Sequence, residues 1–158
     1  MGRATRLARF LAASDKAYEG VIAFGFATDT GDRTGRPLAP PVEVVPKLER
    51  LREASLHLTG EIAQVPPMYS AKKIGGVALH DLARRGQEVE RVAVLVRVRD
   101  WLLGEPVGDR VAFRVTCSAG TYVRVLASSL GDAVGCPAHL AELSSEPWTM
   151  VLSKHLLR

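Results

Sequence analysis

The sequence predicts an α+β fold, a mixed and largely antiparallel sheet flanked by helices, and three observations predict it. Residues alternate from Lys16 to Thr28, with Tyr18, Gly20, Ile22, Phe24 and Phe26 on one side, the period-two pattern of a half-buried strand. Val92 to Leu103 and Arg110 to Cys117 bracket the turn Gly104-Glu-Pro-Val-Gly108 and read as a hairpin. After Ser118-Ala-Gly120 the period lengthens, and Tyr122, Val125, Leu126 and Leu130 fall on one helical face.

The 158 residues fit one domain with a core of its own. Hydrophobic residues make up 47% and charged residues 24%, ordinary globular values, and no apolar run has the length that a membrane-spanning helix needs. Cys117 and Cys136 have neither CxxC nor metal-ligand spacing, so they read as reduced thiols in or near the core of a cytoplasmic protein, with a disulfide between them as the second reading. The net charge is only +4, but it is concentrated. Between Gln64 and Arg99 there are seven cations against three anions, while the rest of the chain balances. Such a stripe is either a solvated basic face or the footprint of a polyanion binder.

Taken in order, Met1 to Ala13 is basic, contains no acid and spaces Leu7, Phe10 and Leu11 as a helix does. Read alone it would pass for an Arg-rich transit peptide. Tyr18 heads the first strand, as a core-edge aromatic or as a platform on which an unstacked base can lie. Residues 28–35 (TDTGDRTG) form a polar turn, whose acids fit no calcium loop and are read as structural. Arg36 to Pro46 is an extended, Pro-rich connection. Val45, Leu48, Leu51, Leu56 and Leu58 predict an amphipathic helix ending near Gly60.

Pro66 and Pro67 keep the next segment extended. Tyr69, Lys72 and Lys73 follow, then the break Gly75-Gly76 and a short helix from Val77 to Arg85 with Leu79, Leu82 and Ala83 on one side. Cations, an aromatic and a glycine break suit a mobile element that grips RNA. In the later helix Ser118 or Thr121 is the expected N-cap. Arg124 falls in its first turn, where the helix dipole disfavours a cation. It is therefore either an ordinary surface arginine or one held to meet a carboxylate or a phosphate. His139 reads as a ligand, an acid/base group, or a buried or capping histidine.

Three blocks give the chain a resemblance. CSAGTYVRVLASSLGDAVGCPAHLAEL, SDKAYEG…GFATDTGDRTG and QVPPMYSAKKIGGVALHDLARRG resemble, in order and approximate spacing, the conserved stretches of the TruB family of tRNA pseudouridine synthases. The resemblance covers nearly the whole chain and implies a partial pseudouridine synthase catalytic domain over residues 1–158. Within it, residues 64–91 correspond to a thumb-like insertion that closes on the T-loop of tRNA. It implies that Tyr18 packs against the target uracil and takes part in the closing proton transfer. It also implies that Arg124 pairs with the catalytic aspartate, and that Tyr69, Lys73, Tyr122 and Leu143 help to hold the substrate. Residues 4–13 become an internal core-packing helix under this reading. The partner is then tRNA through its T-arm, the protein is a monomer off the membrane, and no metal or organic cofactor is implied.

Two departures from the family pattern stand out. Leu143 is followed by Ser144-Ser145, where the pattern calls for two arginines. The G-x-L-D-P-x-A-x-G loop, which carries the nucleophilic aspartate, does not occur in these residues, and neither does the family's first strand and helix nor its C-terminal RNA-binding module. Asp15, Asp29 and Asp32 belong to other motifs and are not substitutes. The expectation is that this polypeptide alone is inactive and marginally folded. An arginine buried without its carboxylate costs about 3–5 kcal/mol, against a domain stability of roughly 5–15 kcal/mol. The second reading, of a different class, is a non-catalytic remnant that binds or remodels tRNA.

Overall fold

A computed structural model describes residues 15–67, 73–87 and 90–144. The expectations for residues 4–13, for Tyr69 and Lys72, and for Ser145 lie outside them. Five strands form one sheet in the order β2-β5-β6-β1-β7: β1 Lys16–Phe24, β2 Gly60–Gln64, β5 Val94–Leu103, β6 Arg110–Cys117 and β7 Ala138–Ser144. Every neighbouring pair is antiparallel. A parallel contact occurs as the isolated bridge between Asp32 and Leu140. A two-residue hairpin, β3 Lys73–Ile74 with β4 Val77–Ala78, lies between β2 and β5. The helices are α1 Leu48–His57, α2 Leu79–Arg84 and α3 Val123–Ala133.

One face of the sheet and the two longer helices enclose the main core. Ile22, Phe24, Val98, Val111, Phe113 and Val115 from the strands meet Leu51 and Ala54 of α1 and Val123, Leu126, Ala127 and Leu130 of α3. The buried residues of α3 are spaced i, i+3, i+4 and i+7, the stripe that a helix lays on a sheet. Val125, expected on that stripe, lines a surface cavity instead. Small residues dominate the buried cluster on the other face: Val21, Ala23, Ala112 and Ala141. There Glu19 lies opposite Arg114 across the β1–β6 pair, with their charges 3.7 Å apart.

Several boundaries differ from expectation for identifiable reasons. The first strand stops at Phe24, not Thr28, because Gly25 turns the chain with φ +115° and donates its N–H to the Pro137 carbonyl. Val77 and Ala78 pair with β3, so α2 begins at Leu79. In α1, Leu51 is buried but Leu56 points outward, and Ala54 and Ser55 complete the buried side. The α3 N-cap is Tyr122, and neither Ser118 nor Thr121 caps the helix. Their hydroxyls lie 3.2 Å from each other, and the Ser118 hydroxyl accepts the Arg97 N–H. Two strands have no clear period in sequence. β2 is short and sits at the sheet edge; β7 is buried across its first four residues and bulges where Val21 and Ile22 meet Glu142 and Leu140. Both cysteines are free thiols, Cys117 buried and Cys136 half-buried.

Candidate nucleic-acid interface and active-site corner

One end of the sheet collects most of the residues singled out above. Tyr18 enters β1 opposite Val115, two residues before β6 ends at Cys117. Five residues later Tyr122 opens α3, so the helix starts beside Tyr18's end of β1. On the other flank β7 runs antiparallel and places Leu143 opposite Gly20. Opposed residues share a sheet face, as do residues two apart, so Tyr18 and Leu143 lie on the same face. Tyr18 is half-buried against the main core, whereas Leu143 is 54% exposed. The intervening Gly20 is obligatory, since a Cβ there would collide with the Glu142 carbonyl oxygen.

Arg124 is held from the side by the loop that follows β1. Its Nη1 donates to the Thr30 carbonyl at 3.1 Å and lies 3.8 Å from the Asp32 carboxylate. Asp32 is itself fixed. One oxygen accepts the Thr30 hydroxyl at 2.8 Å, the Thr34 hydroxyl at 2.5 Å and the Thr34 N–H at 3.0 Å. Thr28 donates its hydroxyl to the Asp32 carbonyl at 2.6 Å, and Leu140 donates its N–H to the Gly31 carbonyl, which binds the loop to β7. Gly31 has φ +84°, and a Cβ on it would stand 3.2 Å from the Arg124 Cβ. Burial acts to raise the Asp32 pKa. The Thr34 and Thr30 hydrogen bonds, with Arg124, outweigh it and hold the carboxyl below its ordinary range.

The charge of Arg124 is therefore not left uncompensated, contrary to expectation. Its side chain is 22% exposed, and a carboxylate of this chain stands beside it. Asp32, read as a turn residue, belongs to the site. The signal was present in the run TDTGD, which offers a hydroxyl or carboxylate at four of five positions, but nothing local says which cation it meets.

A cavity of about 600 Å³ opens next to this corner. The loop lines it with Thr28, Asp29 and Thr30, α3 with Arg124, Ser128 and Asp132, and the segment between β2 and β5 with Pro67, Gln87 and Arg91. Arg91 donates to the Pro66 carbonyl at 3.0 Å, which ties the outgoing and returning arms of that segment together. Lys73 opens β3 in the same segment, at its partner Ala78. Gln64, to which no role was given, closes the corner. Its amide accepts the Tyr122 N–H at 2.9 Å and donates to the Tyr122 carbonyl at 3.2 Å. His139 is a buried structural histidine: its Nδ1 lies 2.9 Å from the Phe26 carbonyl and its ring 4.5 Å from the Phe26 ring. Among the described residues no group of three or more His, Cys, Asp or Glu side chains has the geometry to hold a metal ion.

The arrangement offers an anchored guanidinium, an aromatic ring and an exposed leucine at one rim, beside a cleft with cations on two sides. A model described as TruB family pseudouridylate synthase (N terminal domain) matches residues 1–123. The chain is 48% identical over 144 residues to the tRNA pseudouridine synthase B of Aromatoleum aromaticum, covering 90% of this chain and 46% of that protein. With the protein of the same description from Geobacillus kaustophilus it shares 45% over 152 residues, covering 90% and 53%. It thus spans about half the length of these curated relatives. Among solved structures, a Cbf5-Nop10-Gar1 complex contains a chain similar at TM-score 0.57 and 26% identity, over 89% of this chain and 32% of that one. An H/ACA RNP bound to a substrate RNA containing 2'-deoxyuridine shares the fold, with TM-score 0.51 and 23% identity over 89% of this chain and 30% of its own.

Proposed function

The chain belongs to the TruB family of pseudouridylate synthases, and from that membership we propose that it forms part of a tRNA pseudouridine synthase acting on a uridine of the T-loop. In such a reaction the N1–C1′ glycosidic bond breaks, the uracil turns, and a C5–C1′ bond forms. The proton on C5 leaves, and N1 ends protonated. The target lies inside a folded RNA loop, so it must first be flipped out, and stacking on an aromatic ring offsets part of the unstacking cost.

Tyr18 is the platform in this reading and carries the phenol that serves the closing proton transfer. Arg124, braced by Thr30 and Asp32, orients the nucleophilic aspartate of the family's Leu-Asp-Pro loop. Tyr122 and Leu143 border the flipped base, and residues 64–91, with Tyr69 and Lys73, close on the T-arm. The observation that carries the proposal is that Tyr18 and Leu143 share a sheet face two residues apart in register, at the end of β1 where Cys117 leads into the helix that begins with Tyr122 and Arg124.

The test is single-turnover isomerisation of a tRNA carrying tritium at uridine C5, using the natural protein and its Tyr18→Phe variant. Tritium release from the T-loop position is expected in the parent. The variant keeps the stacking ring, so its tRNA affinity should stay within about twofold, while its rate falls on the order of 10²–10⁴-fold with the loss of the proton-transferring group. Tight tRNA binding without tritium release from the parent would replace this reading with a non-catalytic tRNA binder.

A further inference from the structure

We infer that Gln64 is a positioning residue for the isomerisation, holding the Tyr122–Arg124 corner in place from the root of the insertion; the inference rests on the function proposed above. Gln64 is the last residue of β2, opposite Val94, the first residue of β5. It therefore stands where the chain leaves the sheet for the insertion and where it returns. Its residue exposure is 2%, yet its side chain ends in a polar amide. Burying an amide is unfavourable unless both of its ends are hydrogen-bonded.

Both ends are spent on one residue. The Oε1 accepts the Tyr122 N–H at 2.9 Å, and the Nε2 donates to the Tyr122 carbonyl at 3.2 Å. The orientation of the amide is fixed by its partners, because a backbone N–H only donates and a carbonyl only accepts. The side chain thus pairs with Tyr122 as a neighbouring strand would, although Tyr122 belongs to no strand.

Tyr122 is the N-cap of α3, and no side chain caps that helix. Its carbonyl also accepts the N–H groups of Val125 and Leu126, each at 3.1 Å, so the donor half of the clamp is shared. The N–H receives its bond from Gln64. Tyr122 carries one side chain of the proposed pocket and Arg124 follows two residues later. A rotation at the N-cap would displace both together. The loop fixes Arg124 from one side through Thr30, and Gln64 fixes its helix from the other.

The decisive experiment compares Gln64→Met, which keeps the volume but removes both hydrogen bonds, with the natural protein. Three quantities are read: kcat, the Kd for tRNA, and the folded fraction by thermal melting. The clamp predicts a kcat per folded molecule lower by about tenfold or more, since misplacement on the order of 1 Å costs up to about a hundredfold. It also predicts a Kd within about twofold of the parent, because the binding groups are untouched. A folded variant with parental kcat overturns the inference. So does one whose Kd weakens while kcat is kept, because Gln64 would then serve grip rather than alignment. If Gln64→Met does not fold, Gln64→Asn decides: it keeps an amide but withdraws it by about 1.5 Å, and a parental kcat there overturns the inference as well. An inactive parent would instead sink the proposed function.

Discussion

Arg124 and Asp32 show how a site residue hides in plain view. Arg124 was legible because a cation in the first turn of a helix needs an explanation. Its partner was not, because Asp32 lies in a loop far away in sequence and looks like turn chemistry. The loop is held to β7 by the hydrogen bonds of Leu140 with Gly31 and Arg33, and to Arg124 by the Thr30 carbonyl, and these contacts bring the two together. Asp32 titrates below its ordinary value, so the stability it contributes is present above about pH 4 and is lost as pH falls through the lowered value. Asp32→Asn should flatten the acid limb of the stability curve below about pH 4. It should cost on the order of 1 kcal/mol near neutrality, modest because the group is only partly buried. Urea unfolding of the natural protein and the variant, across acid pH, measures both effects.

Among the elements, the helices and the central strands could be read from sequence because each buries one face only. The apolar stripe of α3 at Val123, Leu126, Ala127 and Leu130 is a repeat that periodicity detects: Leu126 and Leu130 fall on it as expected, while Val123 and Ala127 take the places expected for Tyr122 and Val125. Strand β7 could not be read in this way. Ala138, His139, Leu140 and Ala141 are all buried, so nothing alternates. Edge strand β2 alternates in burial, but over five residues Ile62 is its only large apolar side chain, too little for the sequence to show the alternation. The β1–β7 pairing has one position that admits no side chain. Gly20→Ala would drive a methyl group into the Glu142 backbone, which cannot move without parting the strands. The expected loss is about 2–3 kcal/mol, read as a lower melting temperature, with Leu143 drawn away from the pocket rim and activity falling further than stability alone explains.

At the scale of the molecule, the sequence announced the sheet, the basic segment and the family blocks, but not how they would meet. Convergence at one end of the sheet follows from strand order, and strand order is set by contacts distant along the chain. The arginine corner is self-supporting. Arg124 rests on Asp32 and Thr30, so loss of fold through an uncompensated guanidinium is no longer expected, and retention of Arg124 no longer distinguishes an enzyme from an inactive binder.

The root of the insertion has one more implication. Gln64 and Val94 face each other as paired residues, so the ends of everything between them are already held about one strand spacing apart, roughly 5 Å. The entropy of closing a loop across such a gap rises only with the logarithm of its length. Lineages can therefore lengthen, shorten or exchange the intervening segment while the sheet barely registers the change. The segment is free to vary while the sheet end that holds both of its roots stays as it is.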